Sequence, residues 1–396
     1  MFRALYNTIL LLLLPLWLWK EKKRARLAER IGLKLPSLPL ADIWIHAVSM
    51  GETRAVITLV AELQKTHSIV FSTTTETGLA AAQKLFPNIA GHFLLPIDFS
   101  WNIRRLRKKI QPNLLILVES DFWYNLITLG APKVALVNGK ISEKSAQRFA
   151  RFKSLARLFF EPISLLCVQS DEYKDRFLKI AVPASKIVVT GNLKLDAPIP
   201  SIDKAEWKSR LGIRTEDRVI TLGSTHDPEE ELLLSVLAPL PVKILLVPRH
   251  PERFNAVAEL LAKKNISFVR YSSEKQDPKA QVVLVDAMGL LNTCYGVSDL
   301  AIVCGSFTER VGGHNIFEPI ALGVPTIFGP HMQTQKELVD LVLRANAGRQ
   351  VPIEELKSVV AEFLKNPPTA MTKAGQELAR KSQGATKRTL EAFKWV

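Results

Sequence analysis

The segment Trp44-Ile45-His46-Ala47-Val48-Ser49-Met50-Gly51-Glu52-Thr53-Arg54 ends a strand at His46, turns through Ser49 and Gly51, and opens a helix near Glu52. A carboxylate in a first helical turn is ordinarily a dipole partner or a cap. At a strand-to-helix turn facing a cleft it has a second use, as a general base that takes a proton from an acceptor hydroxyl. Spacing alone leaves both readings open.

Gly223-Ser224-Thr225-His226 makes a second such turn, followed by Asp227-Pro228-Glu229-Glu230-Glu231. Small residues with free backbone N–H groups ahead of a helix form an anion site, although Ser or Thr there can serve only as the N-cap. After the next strand, Val247-Pro248-Arg249-His250-Pro251-Glu252 brings Arg249 to the same edge. Its guanidinium suits a phosphate or carboxylate, and the plain alternative is a surface ion pair with Glu252.

The loop Gly312-Gly313-His314-Asn315-Ile316-Phe317-Glu318 is the most informative. Paired glycines before a polar cap let backbone approach a phosphate closely at a helix start. Glu318, expected about one turn into that helix, can accept both hydroxyls of a ribose. No G-x-G-x-x-G follows the first strand of either half, so a mononucleotide fits better than a dinucleotide.

Two more polar segments end buried strands: Glu119-Ser120-Asp121-Phe122-Trp123 and Asn138-Gly139-Lys140-Ile141-Ser142. Each alone can be a cap or a turn; together with Glu52 they would line one sheet edge. No Asp-x-Asp pair sits at a strand end, and His46, His226, His250 and His314 lack metal-ligand spacing, so metal-free chemistry is expected. Cys167, Cys294 and Cys304 are too few and wrongly spaced for a disulfide framework or a zinc site.

What must position these residues is a sheet. Short β-branched runs at 43–46, 69–72, 92–96, 114–118, 134–137, 165–169 and 187–190 alternate with helical periodicity, as at 54–64, 77–85 and 102–110. The pattern stops at the proline-rich 197–201 and resumes with runs at 219–222, 242–247, 267–271, 282–285, 300–303 and 326–328. That alternation predicts an α/β protein of two doubly wound parallel sheets with a cleft between them. Such sheets bind ligands beyond the carboxyl ends of their strands, where the polar turns fall.

At 396 residues the chain has room for two or three domains of about 150 residues. Its 53 basic and 38 acidic residues are uneven: 28 and 15 lie in residues 1–200, against 25 and 23 beyond. The first half therefore faces something anionic. Residues 9–19 are apolar apart from Pro15, too short for the roughly 20 residues of a spanning helix. Trp17 and Trp19 stand beside a collar of Lys20, Lys22, Lys23, Arg24, Arg26 and Arg30. Aromatic and basic residues together mark a retained anchor, a short span or an interfacial helix, with the bulk of the protein cytoplasmic. A buried N-terminal core helix is the alternative. A nucleic-acid binder would explain the charge but not the apolar start, and the basic residues lack interleaved aromatics.

In order along nearly the whole chain, H-A-V-S-M-G-E, E-S-D-F-W-Y-N, N-G-K-I-S-E-K-S, G-N-L-K-L-D, G-S-T-H, V-P-R-H-P-E-R-F and G-G-H-N-I-F-E-P resemble the Kdo transferases. These are GT-B glycosyltransferases that move 3-deoxy-D-manno-octulosonic acid (Kdo) from CMP-Kdo onto a lipid A precursor, lipid IVA, in lipopolysaccharide core biosynthesis. The likeness implies an inverting, cofactor-free enzyme of the bacterial inner membrane, with anionic lipids and a phosphorylated lipid acceptor as partners and no nucleic acid. By it Glu52 is the base. Ser224, Arg249, Gly312, Gly313, Asn315 and Glu318 are donor-side positions, and Lys194 and His226, in neighbouring motifs, are counted with them. Ser49, Gly51, Glu119, Asp121 and Lys140 become acceptor-side.

The implied layout is an anchor and collar in 1–30, an acceptor-binding Rossmann-like domain in 31–200, and a nucleotide-sugar-binding one in 201–396 whose last helix packs back on the first. Tyr124, Lys140 and Asp227-Pro228 depart from frequent family residues, and none removes a catalytic group. D-A-M-G-L-L and the loop at 305–310 look most like the chlamydial branch. A GT-B transferase using a UDP-sugar on another membrane lipid is the enzymatic alternative.

Overall fold

Strands buried on both faces read as near-continuous apolar runs, and the runs in this chain become strands for that reason. In the computed structural model, residues 1–21, 26–120, 122–196, 199–273 and 277–394 are described. The chain divides into two compact units: Met1–Ala197 with Ser382–Val396, and Pro198–Lys381. Part of the expected linker (Ala197 and Pro198) and of the collar (Lys22, Lys23 and Arg24) lies outside the described residues, as does Asp121.

The first unit holds β1 (Ile43–Ala47), β2 (Ile69–Thr73), β3 (Gly91–Leu94), β4 (Leu114–Val118), β5 (Lys133–Gly139), β6 (Leu165–Val168) and β7 (Ile187–Val189). All pair in parallel, in the order β3-β2-β1-β4-β5-β6-β7. The order reverses between β1 and β4, so the turns after these two strands flank the switch point where open sheets bind ligands. Glu52 follows β1 and Glu119 follows β4.

The second unit repeats the plan with β8 (Val219–Thr225), β9 (Lys243–Pro248), β10 (Phe268–Arg270), β11 (Val282–Leu284), β12 (Leu300–Val303), β13 (Thr326–Phe328) and β14 (Arg349–Gln350). Their order is β10-β11-β9-β8-β12-β13-β14, with the switch between β8 and β12. The expected strands are all present. β14 has no counterpart among the sequence runs, because two residues at a sheet edge leave no apolar pattern to read.

Two local differences have physical causes. The helix expected over 54–64 is two, Met50–Ala55 and Ile57–Leu63, separated at Val56 (φ −105°, ψ 14°). The first starts early because Ser49 caps it. The last helix, Ala385–Phe393, belongs to the first unit. Both carboxylate oxygens of Asp196 accept from the backbone N–H groups of Gly384 and Thr386 at 2.6 Å, and Arg388 donates to the Thr190 carbonyl at 2.8 Å.

The N-terminal helix α1 (Phe2–Glu21) contains Pro15. Its first turns are docked: the Tyr6 hydroxyl donates to Asp98 at 3.0 Å, Asn7 donates to Ser100 at 2.8 Å, and the Phe2 ring meets Tyr124 edge-on at 4.8 Å. Burial pushes the Asp98 carboxyl up to about 7, against hydrogen bonds from Asn125, Tyr6 and Leu126 that hold it down. Further along, Leu12 and Leu16 are 72% and 64% exposed. Helix α1 is thus neither a buried core helix nor detached from the first unit. Among the described residues no helix is long and apolar enough to cross a membrane.

Candidate functional site

Glu52 lies in the first turn of the short helix after β1, and two hydrogen bonds fix it. Its backbone N–H donates to the Ser49 hydroxyl at 3.5 Å, and its Oε2 accepts from the Val48 N–H at 2.5 Å. This is close to the reciprocal geometry of a capping box, displaced by one residue. The arrangement fills the capping role and also sets the carboxylate's direction, which a general base requires. Gly51 is exposed within the same turn. His46, one turn away in sequence, is core: its Nδ1 lies 2.9 Å from the Ser72 hydroxyl, which also accepts from the Trp44 indole at 2.7 Å. Complete burial pushes the imidazole down to about 3, so it stays neutral.

On the other side of the switch point Glu119 is buried, in the left-handed region at φ 67°. Its Oε1 meets Lys194 Nζ at 2.7 Å and its Oε2 meets Lys140 Nζ at 2.9 Å. Burial alone would push this carboxyl up, but the two ammonium charges and their hydrogen bonds outweigh it and hold the group below its usual range. Asn138 (φ 52°) donates to Glu119 Oε1 at 3.2 Å and accepts from the Leu193 N–H at 2.9 Å, tying β5 to the turn that carries Lys194. That turn, Leu193–Leu195, packs beside the Glu52 helix. Glu52, Lys140, Lys194 and Glu119 are therefore gathered on one edge, with two cations around one anion.

In the second unit β8 runs three residues past the expected end and carries a register shift against β9 between Gly223 and Thr225. The intervening Ser224 has φ 61°, the mark of a bulge that re-aims the chain at a site. The Asp227–Pro228 peptide is cis. The helix that follows (Glu229–Leu237) opens with three glutamates, so its first turn favours donors over an anion. Sequence reasoning passed over what two of them do. Glu229, buried, accepts from the N–H groups of Gly305, Ser306 and Phe307 at 2.6, 3.0 and 3.0 Å and so clamps the loop after β12. Glu230 accepts from Thr225 and Arg253 at 3.2 and 2.9 Å. Burial pushes both carboxyls up.

The clamped loop leads to Gly312 and Gly313, both at φ 86°. A Cβ on Gly313 would overlap the Met332 sulfur, and one on Gly312 would come within 2.7 Å of Thr334 Cγ2. Only glycine fits both the conformation and the space. Asn315 follows; its Oδ1 accepts from the Phe317 N–H at 3.0 Å and its Nδ2 donates to Glu318 Oε1 at 3.2 Å. Glu318 is the second residue of the five-residue helix Phe317–Ala321, nearer the helix start than expected. Burial pushes its carboxyl up, countered by the Asn315 hydrogen bond and the Arg249 charge.

Arg249 is exposed and has no carboxylate at ion-pairing distance among the described residues; Glu252 Oε1 lies instead 3.8 Å from His250 Nδ1. His226 and His314 stand beside it, and the sequence did not announce that they touch. The second unit thus gathers Ser224, His226, Arg249, His314, Asn315 and Glu318 beyond its switch point. The Arg249 guanidinium, the paired glycines and the Glu318 carboxylate stand there together. Among the described residues no group of three or more His, Cys, Asp or Glu is placed to hold a metal ion.

Residues 25–197 match the family described as 3-deoxy-D-manno-octulosonic-acid transferase (kdotransferase). A 3-deoxy-D-manno-octulosonic acid transferase of Chlamydophila psittaci is 35% identical over 401 aligned positions, covering 96% of this chain and 92% of the relative. Its Haemophilus influenzae namesake is 34% identical, covering 100% and 98%. A solved glycosyltransferase from Rickettsia africae shares the fold at 16% identity, with TM-score 0.52 over 89% of this chain and 97% of that one. With two doubly wound sheets, each presenting its polar turns at a switch point, and identity at this level across both units, the chain belongs to the Kdo transferase family of GT-B glycosyltransferases.

Proposed function

We propose that the protein transfers Kdo from CMP-Kdo to a hydroxyl of a phosphorylated lipid A precursor, with inversion at the anomeric carbon. Glu52 takes the hydroxyl proton as the acceptor oxygen bonds to the anomeric carbon. The bond from that carbon to the phosphate oxygen breaks, and CMP leaves with the electron pair. The observation that supports this reading is the Glu52 carboxylate, held by the Val48 N–H in the turn after β1, whose helix packs beside the turn that carries Lys194 of the Lys140–Glu119–Lys194 cluster. The two ammonium groups suit the phosphates of the acceptor, with Ser49 and Gly51 shaping the turn.

On the donor side, Glu318 accepts the ribose hydroxyls while Gly312, Gly313 and Asn315 bring backbone close to the phosphate. Arg249 then stabilises the charge that develops as CMP departs. No metal enters this scheme. The exposed leucines of α1 and the basic collar hold the enzyme to the cytoplasmic face of the bacterial inner membrane, where both substrates meet.

Incubation of the purified protein with CMP-Kdo and lipid IVA, followed by mass spectrometry, tests the reading; the expected product is heavier by whole Kdo units. CMP should raise the melting temperature, whereas UDP and oligonucleotides should leave it unchanged. Stabilisation by UDP in place of CMP would sink the donor assignment.

A further inference from the structure

Between α1 and the carboxyl edge of the first sheet lies a cavity of about 210 Å³. Leu10, Leu13 and Leu14 form its α1 side, and Leu95, Ile97 and Trp123 face them. An apolar cavity of about 150 Å³ takes benzene; this one is larger and mostly apolar, with Arg30, Thr74 and Asp98 completing its wall, and has room for a run of methylene groups. Its walls are fixed. Arg30, buried, donates to the Thr74 carbonyl at 3.0 Å, and its own carbonyl accepts from the Ile97 N–H at 2.7 Å.

Two relationships identify the occupant. Leu13 lines the cavity while 51% exposed, and Ile9, Leu12 and Leu16 continue the apolar surface outward along α1. The cavity therefore extends into a surface suited to a bilayer, which fits a hydrocarbon chain entering from the lipid phase. The other relationship runs inward. Thr74 forms part of the wall, and its neighbour Thr75 donates through both its N–H and its hydroxyl to the Val48 carbonyl at 3.2 Å. Val48 is the residue whose N–H holds Glu52. One short stretch of backbone thus separates the apolar slot from the proposed base, in the unit that carries the excess of positive charge.

We infer that this cavity receives a fatty acyl chain of the lipid acceptor and that the chain's seat places the acceptor hydroxyl at Glu52. The inference rests on the lipid-acceptor reading proposed above. It makes Leu10, Leu14 and Trp123 determinants of acceptor specificity rather than catalytic residues. It also gives α1 a part in substrate binding beyond attachment to the membrane.

Leu14→Trp and Leu10→Trp each fill the slot from the α1 side. With lipid IVA, KM should rise by about tenfold at nearly unchanged kcat, the loss expected when about two methylenes are left in water. With the deacylated bisphosphorylated disaccharide as acceptor, kcat/KM of variant and wild type should coincide, which damaged folding would not produce. No loss on lipid IVA, or equal loss on both acceptors, overturns the inference. Wild-type protein inert toward both acceptors would instead sink the functional reading. The slot is then read directly, with full-length protein and a lipid IVA analogue carrying a diazirine in one acyl chain. Cross-links at Leu14, Ile97 or Trp123 support the inference. Labelling there by a phospholipid bearing the same chain, with none from the lipid IVA analogue, overturns it.

Discussion

His226 and His314 meet Nε2 to Nε2 at 2.8 Å, their rings stacked within 12° of parallel at 5.0 Å. One imidazole must donate and the other accept, so the contact is lost once both rings are protonated. Burial, with Arg249 and His250 nearby, pushes each imidazole down to about 4. Burial and the neighbouring Arg249 charge thus favour the neutral pair.

Both folded values lie below the ordinary 6.5, so the unfolded chain binds more protons between about 4 and 6.5. The contribution is complete above pH 6.5 and is lost as pH falls toward 4. Melting temperatures at pH 7 and pH 5 should differ more for the wild type than for His314→Asn, which removes one partner. An equal or larger drop in the variant would show that the pair does not titrate as argued.

Glu52→Gln separates the two roles its geometry allows. A glutamine carbonyl still accepts from the Val48 N–H, so the turn and the melting temperature should be preserved. It takes no proton, and kcat should fall by about a hundredfold or more. Ser49→Ala does the reverse: loss of the cap should cost about 1 kcal/mol of stability with chemistry largely retained. Near wild-type turnover in Glu52→Gln would leave Glu52 a cap alone.

Glu229 offers a test that is structural in origin. Its two carboxylate oxygens accept three backbone N–H groups, and glutamine would place an NH2 against at least one of them. Glu229→Gln should destabilise the protein by about 1 to 3 kcal/mol and loosen the loop that precedes Gly312 and Gly313, weakening CMP binding as well. Denaturant melts and calorimetry together read both effects; unchanged CMP affinity would separate the clamp from the donor site.

That clamp also shows where sequence reasoning stops. The β-branched runs marked the strands well, since a strand buried on both faces has little freedom in composition, and the turns after β1, β4, β8 and β12 stood out because polar residues ended each run. What stayed hidden was which turns touch. Glu229 and Gly305 are 76 residues apart, and Glu119 and Lys194 lie on separate turns brought together by sheet order. Glu229, Glu230 and Glu231 read alike as an acidic run, yet two are buried and the third is exposed. Asp98 gave no signal at all: it accepts from the N–H groups of Asn125 and Leu126 at 2.8 Å, capping a helix that its own flanking residue leaves uncapped.

Glu318→Ala addresses the donor nucleoside. Truncation leaves ribose hydroxyls without an acceptor and frees the Asn315 amide, so CMP binding should weaken by about 1 to 3 kcal/mol. Calorimetry with CMP and with cytidine would locate the loss, which should appear for both ligands because it concerns the sugar. A loss confined to CMP would move Glu318 from the ribose to the phosphate.

Removing residues 1–21 should do more than detach the protein from lipid. Asp98 would lose the Tyr6 hydroxyl, Asn125 would lose Asn7 as an acceptor at 2.9 Å, and Tyr124 would lose the Phe2 ring. The truncated protein should therefore melt lower than the full chain, and Tyr6→Phe should reproduce a small part of that loss, about 1 kcal/mol for one hydrogen bond. In flotation with anionic vesicles the truncated form should keep only weak, salt-sensitive attraction through its basic collar, about 1 kcal/mol per charge near the surface. Replacing Lys22, Lys23, Arg24 and Arg26 with Ser in that form should abolish the remainder. Persistent flotation of the truncated protein at high salt would mean that an apolar surface other than α1 holds the membrane.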